Sequence, residues 1–237
     1  MSGYDLPMLS TVADVATLVS TRAAFHTLAE RVLAPDLQRA TGRIGLRRTA
    51  GGFGQPEHVV DGHRRRIRVD GTFLVVDRDG DGESWHDITT LGAAAALVGL
   101  PPDAETGVFV ATSAGDPDAP LAVDPVAAAT IAEWFRFVDT ALEEFRHRHA
   151  ALLPSVVQLW PEHFDLACSI GEINFGGSPG DAGDSGRVEP YLYVGPWSPP
   201  PVGGFWNEPY GAALERSAVT TVDDALEFFE RGLAAAS

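Results

Sequence analysis

A short polar stretch in the second half of the chain carries the side chains best suited to chemistry. His163 and Asp165 lie two positions apart, a spacing that places both side chains on one face of a β-strand. A carboxylate in that position can orient the imidazole as a general base, or join it in binding a divalent metal. Glu172 continues the polar pattern and Asp181 follows in a glycine-rich loop. We predict His163, Asp165 and Glu172 as catalytic residues, and His163, Asp165 and Asp181 as ligands of a divalent metal cofactor.

The His163 and Asp165 pair also has a purely structural interpretation, in which a buried hydrogen bond between them holds a sheet together. We expect a partly exposed cleft instead, because Asn174 and the glycine-rich loop continue the polar surface and would be costly to bury together. Cys168 falls on the opposite, apolar face of the same predicted strand. It is therefore expected to be a small buried hydrophobe rather than a nucleophile.

Aromatic residues follow this stretch and suggest a second kind of function. Tyr191 and Tyr193 alternate with apolar residues in a predicted strand, and Trp197, Phe205 and Trp206 come soon after. Together they can form an aromatic surface for a partner chain, since Tyr and Trp dominate binding hot spots. The predicted ligand-binding residues are Asn174, Tyr191, Tyr193 and Trp206.

The elements that must position these residues predict an α+β fold, with antiparallel strands and packed helices. Apolar residues alternate within 42–88 and 156–210, including a strand from His163 to Ser169, and Asp-Gly turns punctuate the first region. Helical periodicity and capping residues predict helices near 11–34, 125–149 and 222–235. Pro35 is expected to end or kink the first helix near Ala34.

The length of 237 residues suits one α+β domain covering the whole chain. The segment 101–124 is rich in Pro and Asp and offers an internal boundary. The alternative is two halves of similar size that meet there.

Charge and composition exclude several classes of function. The net charge is −16, and every basic residue is Arg. Most of the acidic excess follows residue 68, so we expect no binding to nucleic acid or to an anionic membrane. The basic run 63–68 is expected to pair with nearby acids on a charged face. A single Cys, the absence of a signal peptide and the lack of an apolar stretch of about 20 residues predict a cytoplasmic protein.

Several short stretches resemble an uncharacterised family of actinobacterial proteins that has no assigned function. The resemblance lies mostly in the second half of the chain and agrees with the absence of Lys. It implies no catalytic residues. The stretches are Thr41–Leu46, Trp160–Asp165, Asn174–Gly176 and Glu189–Tyr193.

These patterns name no reaction. The first functional hypothesis is an enzyme, acting on a small molecule or dependent on a metal and plausible as a hydrolase, with a His/Asp/Glu cleft. The alternative is a non-catalytic binding or interaction module with an aromatic surface. A small molecule or a protein is the expected partner in either case.

Overall fold

The computed structural model describes residues 14–101, 103–180, 187–198, 200 and 203–236. Contacts divide these residues into two compact units. The N-terminal unit comprises the described residues up to 132 together with 159–164, and the C-terminal unit comprises 133–158 and those from 165 onward. Helix α4, Pro125–Arg148, begins in the first unit and ends in the second.

A continuous helical run opens the N-terminal unit. It consists of α1 Val15–Leu28, a π-helical turn Ala29–Leu33 and α2 Ala34–Thr41. Asp14 caps α1 by accepting the N–H of Thr17 at 3.1 Å. Pro35 lies in the first turn of α2, where its missing N–H is tolerated. The predicted end near Ala34 is therefore wrong, because the chain stays helical as far as Thr41, where Gly42 at φ +74° terminates it.

Six antiparallel strands make the sheet of the N-terminal unit. In the order of the sheet, β2 and β3 pair with one side of β4, β1 lies outside β2, and β5 and β6 follow on the other side. In β4 the buried Ile67 and Val69 alternate with charged residues, whereas Leu74, Val75 and Val76 of β5 are all buried. The strands are β1 Arg47–Thr49, β2 Gly52–Gly54, β3 His58–Val60, β4 His63–Asp70, β5 Phe73–Arg78 and β6 Gly82–Asp87.

Helix α3, Leu91–Leu97, begins where Thr90 Oγ1 accepts the N–H of Ala93 at 3.2 Å.

The predicted charged face is confirmed along β4. Arg64, Arg66 and Arg68 each lie within 4 Å of a carboxylate on β5, on β6 or in the turn between them.

The C-terminal unit packs helices on a second antiparallel sheet. Within this unit the strand order is β11-β10-β9-β8, and β7 lies where the chain leaves the unit. Phe145 of α4, Phe175 of β9 and Phe229 of α5 form its aromatic core, with ring centroids 4.8 to 6.0 Å apart. The elements are β7 Gln158–Trp160, β8 Asp165–Ile170, β9 Ile173–Ser178, β10 Tyr191–Pro196, β11 Ala212–Glu215 and α5 Val222–Ala235.

Local capping begins the two long helices of the second half. Asp124 Oδ1 accepts the N–H groups of Val126 and Ala127 at 2.9 Å, with Pro125 as the first helical residue of α4. Thr221 and Asp224 form the predicted capping box of α5.

The α+β prediction is confirmed. The contact division falls inside α4, so segment 101–124 lies within the N-terminal unit, and a single domain stays a prediction.

The π-helical turn presents a buried carboxylate that holds a distant loop. Glu30 accepts the backbone N–H groups of Thr112 at 3.0 Å and Ser113 at 2.8 Å. Arg31, its neighbour, donates from Nε and a terminal nitrogen to the carbonyl of Ser113. Burial raises the pKa of Glu30, but hydrogen bonds from His26, Ser113 and Thr112 outweigh it and lower the pKa to about 2.

Replacing Glu30 with Gln should lower the free energy of unfolding by about 2 kcal/mol at neutral pH, because charge-assisted hydrogen bonds are lost. A lowered pKa in the folded state means that the carboxylate stabilises the fold fully above its ordinary pKa of 4.5 and loses this effect as the pH falls towards 2. Urea titrations of both proteins should therefore differ most at neutral pH and converge as the pH falls from about 4.5 to about 2. The exposed Glu57→Gln change is the control and should shift stability by less than about 0.5 kcal/mol.

Candidate functional site

His163 and Asp165 do not share the face of one strand. His163 lies in an exposed turn of the N-terminal unit, whereas Asp165 is the first residue of β8 in the C-terminal unit and is buried. The predicted strand from His163 is wrong because Phe164 between them has φ +53°, in the left-handed region, which breaks the alternation of an extended chain. Its ring is fully buried and packs edge-on against Phe53 at 5.0 Å.

The carboxylate of Asp165 is engaged inside the C-terminal unit. The hydroxyl of Tyr193, on β10, donates to Asp165 Oδ2 at 2.5 Å. Burial raises the pKa of Tyr193 well above its ordinary value, and the negative charge of Asp165 raises it further. The hydroxyl thus stays protonated and acts as a hydrogen-bond donor to a buried acid. This hydrogen bond links β8 to β10 within the sheet. It does not favour a catalytic role for Asp165, and that role stays a prediction.

Cys168 behaves as expected of a small hydrophobe. Its side chain is buried on β8, and burial is the main cause that raises the pKa of its thiol to about 12. A thiol with that pKa carries almost no thiolate at neutral pH, so nucleophilic chemistry there is disfavoured.

Two of the predicted ligand-binding aromatics belong to the interior. Tyr191 and Trp206 each have only 9% of their surface exposed. Arg187 lies over the Tyr191 ring at 5.7 Å and pairs with Glu208. An open aromatic surface that includes both rings is therefore not formed, and their role in binding a ligand stays a prediction.

Trp197 is the aromatic residue of this region that faces solvent. Although 62% of its surface is exposed, its indole Nε1–H donates to Asn174 Oδ1 at 3.2 Å. The hydroxyl of Ser169 donates to the same oxygen at 2.8 Å. The backbone N–H of Trp197 also donates to the carbonyl of Glu172 at 2.8 Å. We call Ser169, Glu172, Asn174 and Trp197 the Trp197 platform.

The Trp197 platform joins predictions that the sequence treated separately. Glu172 was expected to be catalytic and Asn174 to bind a ligand, yet the fold brings both to Trp197: Asn174 bonds the indole, and the carbonyl of Glu172 bonds the backbone N–H. Glu172 is exposed in the turn between β8 and β9, beside the residue that anchors Trp197. Polar alternation along β9 indicated Asn174, but only the pairing of Pro196 with Ile173 across β9 and β10 brings Trp197 within its reach.

No metal centre is formed by the predicted ligands in the part of the chain that the structure describes. There, no group of three or more His, Cys, Asp and Glu side chains is arranged to hold a metal ion. Asp181, the third predicted ligand, lies outside the described residues. The metal role of His163, Asp165 and Asp181 stays a prediction.

Removing the Tyr193 hydroxyl should destabilise the fold, because the buried carboxylate of Asp165 loses this hydrogen bond. We expect Tyr193→Phe to lower the free energy of unfolding by about 1–3 kcal/mol. His163→Ala removes an exposed ring in a turn and should change it by less than about 0.5 kcal/mol. Urea titrations monitored by circular dichroism measure both values. Equal losses in the two variants would contradict the separation of His163 from the buried acid.

Comparison with known proteins found no protein-family model, no curated protein and no solved structure that matches this chain. Among the described residues, no helix is both long enough and apolar enough to cross a bilayer. The resemblance to an actinobacterial family stays a prediction.

Proposed function

We propose that this protein is a binding module that holds a basic segment of a partner protein against the Trp197 platform. The observation that carries the proposal is the combination of exposure and fixation at Trp197. Most of its surface is open to solvent, while a side-chain hydrogen bond and a backbone hydrogen bond hold it.

Fixation matters because binding costs entropy whenever a side chain must be ordered. An exposed Trp normally samples several rotamers, and immobilising it at an interface costs about 0.5–1.5 kcal/mol. The hydrogen bond from Nε1 of Trp197 to Asn174 already restricts the ring before a partner binds, so much of this entropy is lost during folding. The hydroxyl of Ser169 in turn orients the amide oxygen of Asn174. The indole faces, rather than the polar edge, are thus presented for contact.

Charge favours a cationic occupant. From residue 133 to the end, the chain has 16 acidic residues and 6 Arg. Such an excess attracts basic partners and repels acidic ones. The face of an indole also attracts Arg and Lys through the cation–π interaction, worth about 0.5–1 kcal/mol at an exposed site. Glu172, whose carbonyl accepts the backbone N–H of Trp197, is exposed and adds a negative charge to the platform.

Recognition by Trp197 is better supported than catalysis by the predicted His/Asp/Glu set. Asp165 is buried and accepts from Tyr193, and His163 lies in a turn that the left-handed Phe164 separates from β8. The net negative charge of this half of the chain also argues against a nucleic-acid partner. We place the protein in the cytoplasm, on its composition and single Cys.

Replacing Trp197 with Ala should weaken binding of a short dye-labelled peptide of alternating arginine and glycine. We expect the dissociation constant, measured by fluorescence anisotropy, to rise about fivefold, which corresponds to about 1 kcal/mol. Asn174→Ala should cause a smaller loss, because the indole remains but is no longer held.

Trp85→Ala provides the matched control, since Trp85 is also half exposed but lies on β6 of the other unit. It should leave the dissociation constant unchanged. An equal loss from Trp85→Ala, or none from Trp197→Ala, would refute the proposal. A peptide of alternating glutamate and glycine should bind to none of the variants.

A further inference from the structure

One end of the sheet in the N-terminal unit has a half-open cavity of about 360 Å³. It lies by the turns that connect β3 to β4 and β5 to β6. Its basic lining residues are His63, Arg64, Arg65 and Arg78. The volume lies within the range of small-molecule sites. Nothing in this unit takes part in the Trp197 platform, so the cavity can be considered independently.

Two like charges face each other across the strands at this cavity. Arg65 of β4 is directly opposite Arg78 of β5, an arrangement that destabilises a sheet unless other charges compensate. Arg65 has such compensation, because its guanidinium lies 3.0 Å from the buried carboxylate of Asp36. Arg78 is exposed and makes no ion pair with any described residue. Its guanidinium is available to an anion.

Arg65 is held in place before any ligand arrives. Asp36, its partner, is fully buried and also accepts a hydrogen bond from Gln55 at 2.9 Å. The Arg65 side chain is only 13% exposed, and its buried Nε–H has no hydrogen-bond acceptor among the described residues. A fixed guanidinium beside a free one suits phosphate or carboxylate, which match the planar arrangement of Arg donors.

Carboxylates that line the same cavity limit the kind of anionic ligand that it can bind. Asp61, Asp79 and Asp81 also line it. Asp79 lies 3.6 Å from Arg64, whereas Asp61 and Asp81 are exposed and pair with no described cation. A simple anion would be repelled by these two carboxylates. A ligand that also carries an ammonium group turns that repulsion into attraction.

We infer that this cavity binds a small zwitterion that joins an ammonium group to a phosphate or carboxylate. Arg78 and Arg65 receive the anionic group, and Asp61 and Asp81 receive the ammonium group. Because exposed charges more than about 8 Å apart are screened at physiological salt, these local side chains outweigh the net negative charge of the chain.

Calorimetric titration with three matched probes tests the assignment. Phosphoethanolamine carries both groups, inorganic phosphate only the anion, and ethanolamine only the cation. We expect phosphoethanolamine to bind at least tenfold more tightly than either single-group probe, since each charge-assisted contact contributes roughly a factor of ten. No binding of phosphoethanolamine at millimolar concentration would overturn the inference, as would equal affinity for all three probes.

Two charge-removing variants divide the site into its halves. Arg78→Gln should weaken phosphoethanolamine and phosphate roughly tenfold but strengthen ethanolamine, because a repulsive guanidinium is removed. Asp81→Asn should weaken phosphoethanolamine and ethanolamine but strengthen phosphate, because a repulsive carboxylate is removed. Both residues are exposed, so the variants are expected to fold, as a native circular dichroism spectrum would verify.

Matched controls carry the same changes away from the cavity. Arg43→Gln and Asp87→Asn alter exposed residues of the same unit that do not line it. Neither should alter the affinity for phosphoethanolamine. Losses in the controls as large as those in Arg78→Gln and Asp81→Asn would mean that the probes respond to general charge, and the inference would be overturned.

Discussion

The left-handed backbone of Phe164 is the constraint that decides where the reactive side chains of the second half lie. A residue with a Cβ in this conformation is strained by about 1–2 kcal/mol. Full burial of the phenyl ring against Phe53 stabilises by a similar or larger amount. Since the reversal falls between His163 and Asp165, the imidazole points to solvent and the carboxylate to the interior. The backbone conformation of Phe164 therefore determines where these two side chains point, although a spacing of two positions would place them on one face of a strand.

The sequence predicts best what is decided by neighbours along the chain. The capping box at Thr221 and Asp224, the Asp124 cap before Pro125 and the Asp-Gly turns were all foreseeable, because each depends on residues within four positions. The contacts that give the site its form join distant residues. Tyr193 reaches Asp165 over 28 positions and Trp197 reaches Asn174 over 23. Periodicity indicates which face a side chain takes, but not which strand lies beside it.

In both candidate sites a recognition side chain is held by a partner residue that the ligand does not touch. Asn174 holds the indole edge of Trp197, and the buried Asp36 holds the guanidinium of Arg65. In each case the entropy of ordering a long side chain is lost during folding rather than during binding. Arg suits this arrangement better than Lys would, because its planar fork can pair with an internal acid and still present further donors.

The hydrogen bonds that Thr112 and Ser113 donate to Glu30 also affect the motion of the segment between α3 and α4. Between α3 and α4 the described residues form no helix or strand, and irregular segments usually exchange their amide hydrogens quickly. Here the two amides that donate to the carboxylate are protected by a group 82 and 83 positions away. Their exchange requires the π-helical turn to release them. The slowest amides of this segment therefore report on the opening of the first helical run rather than on the loop itself.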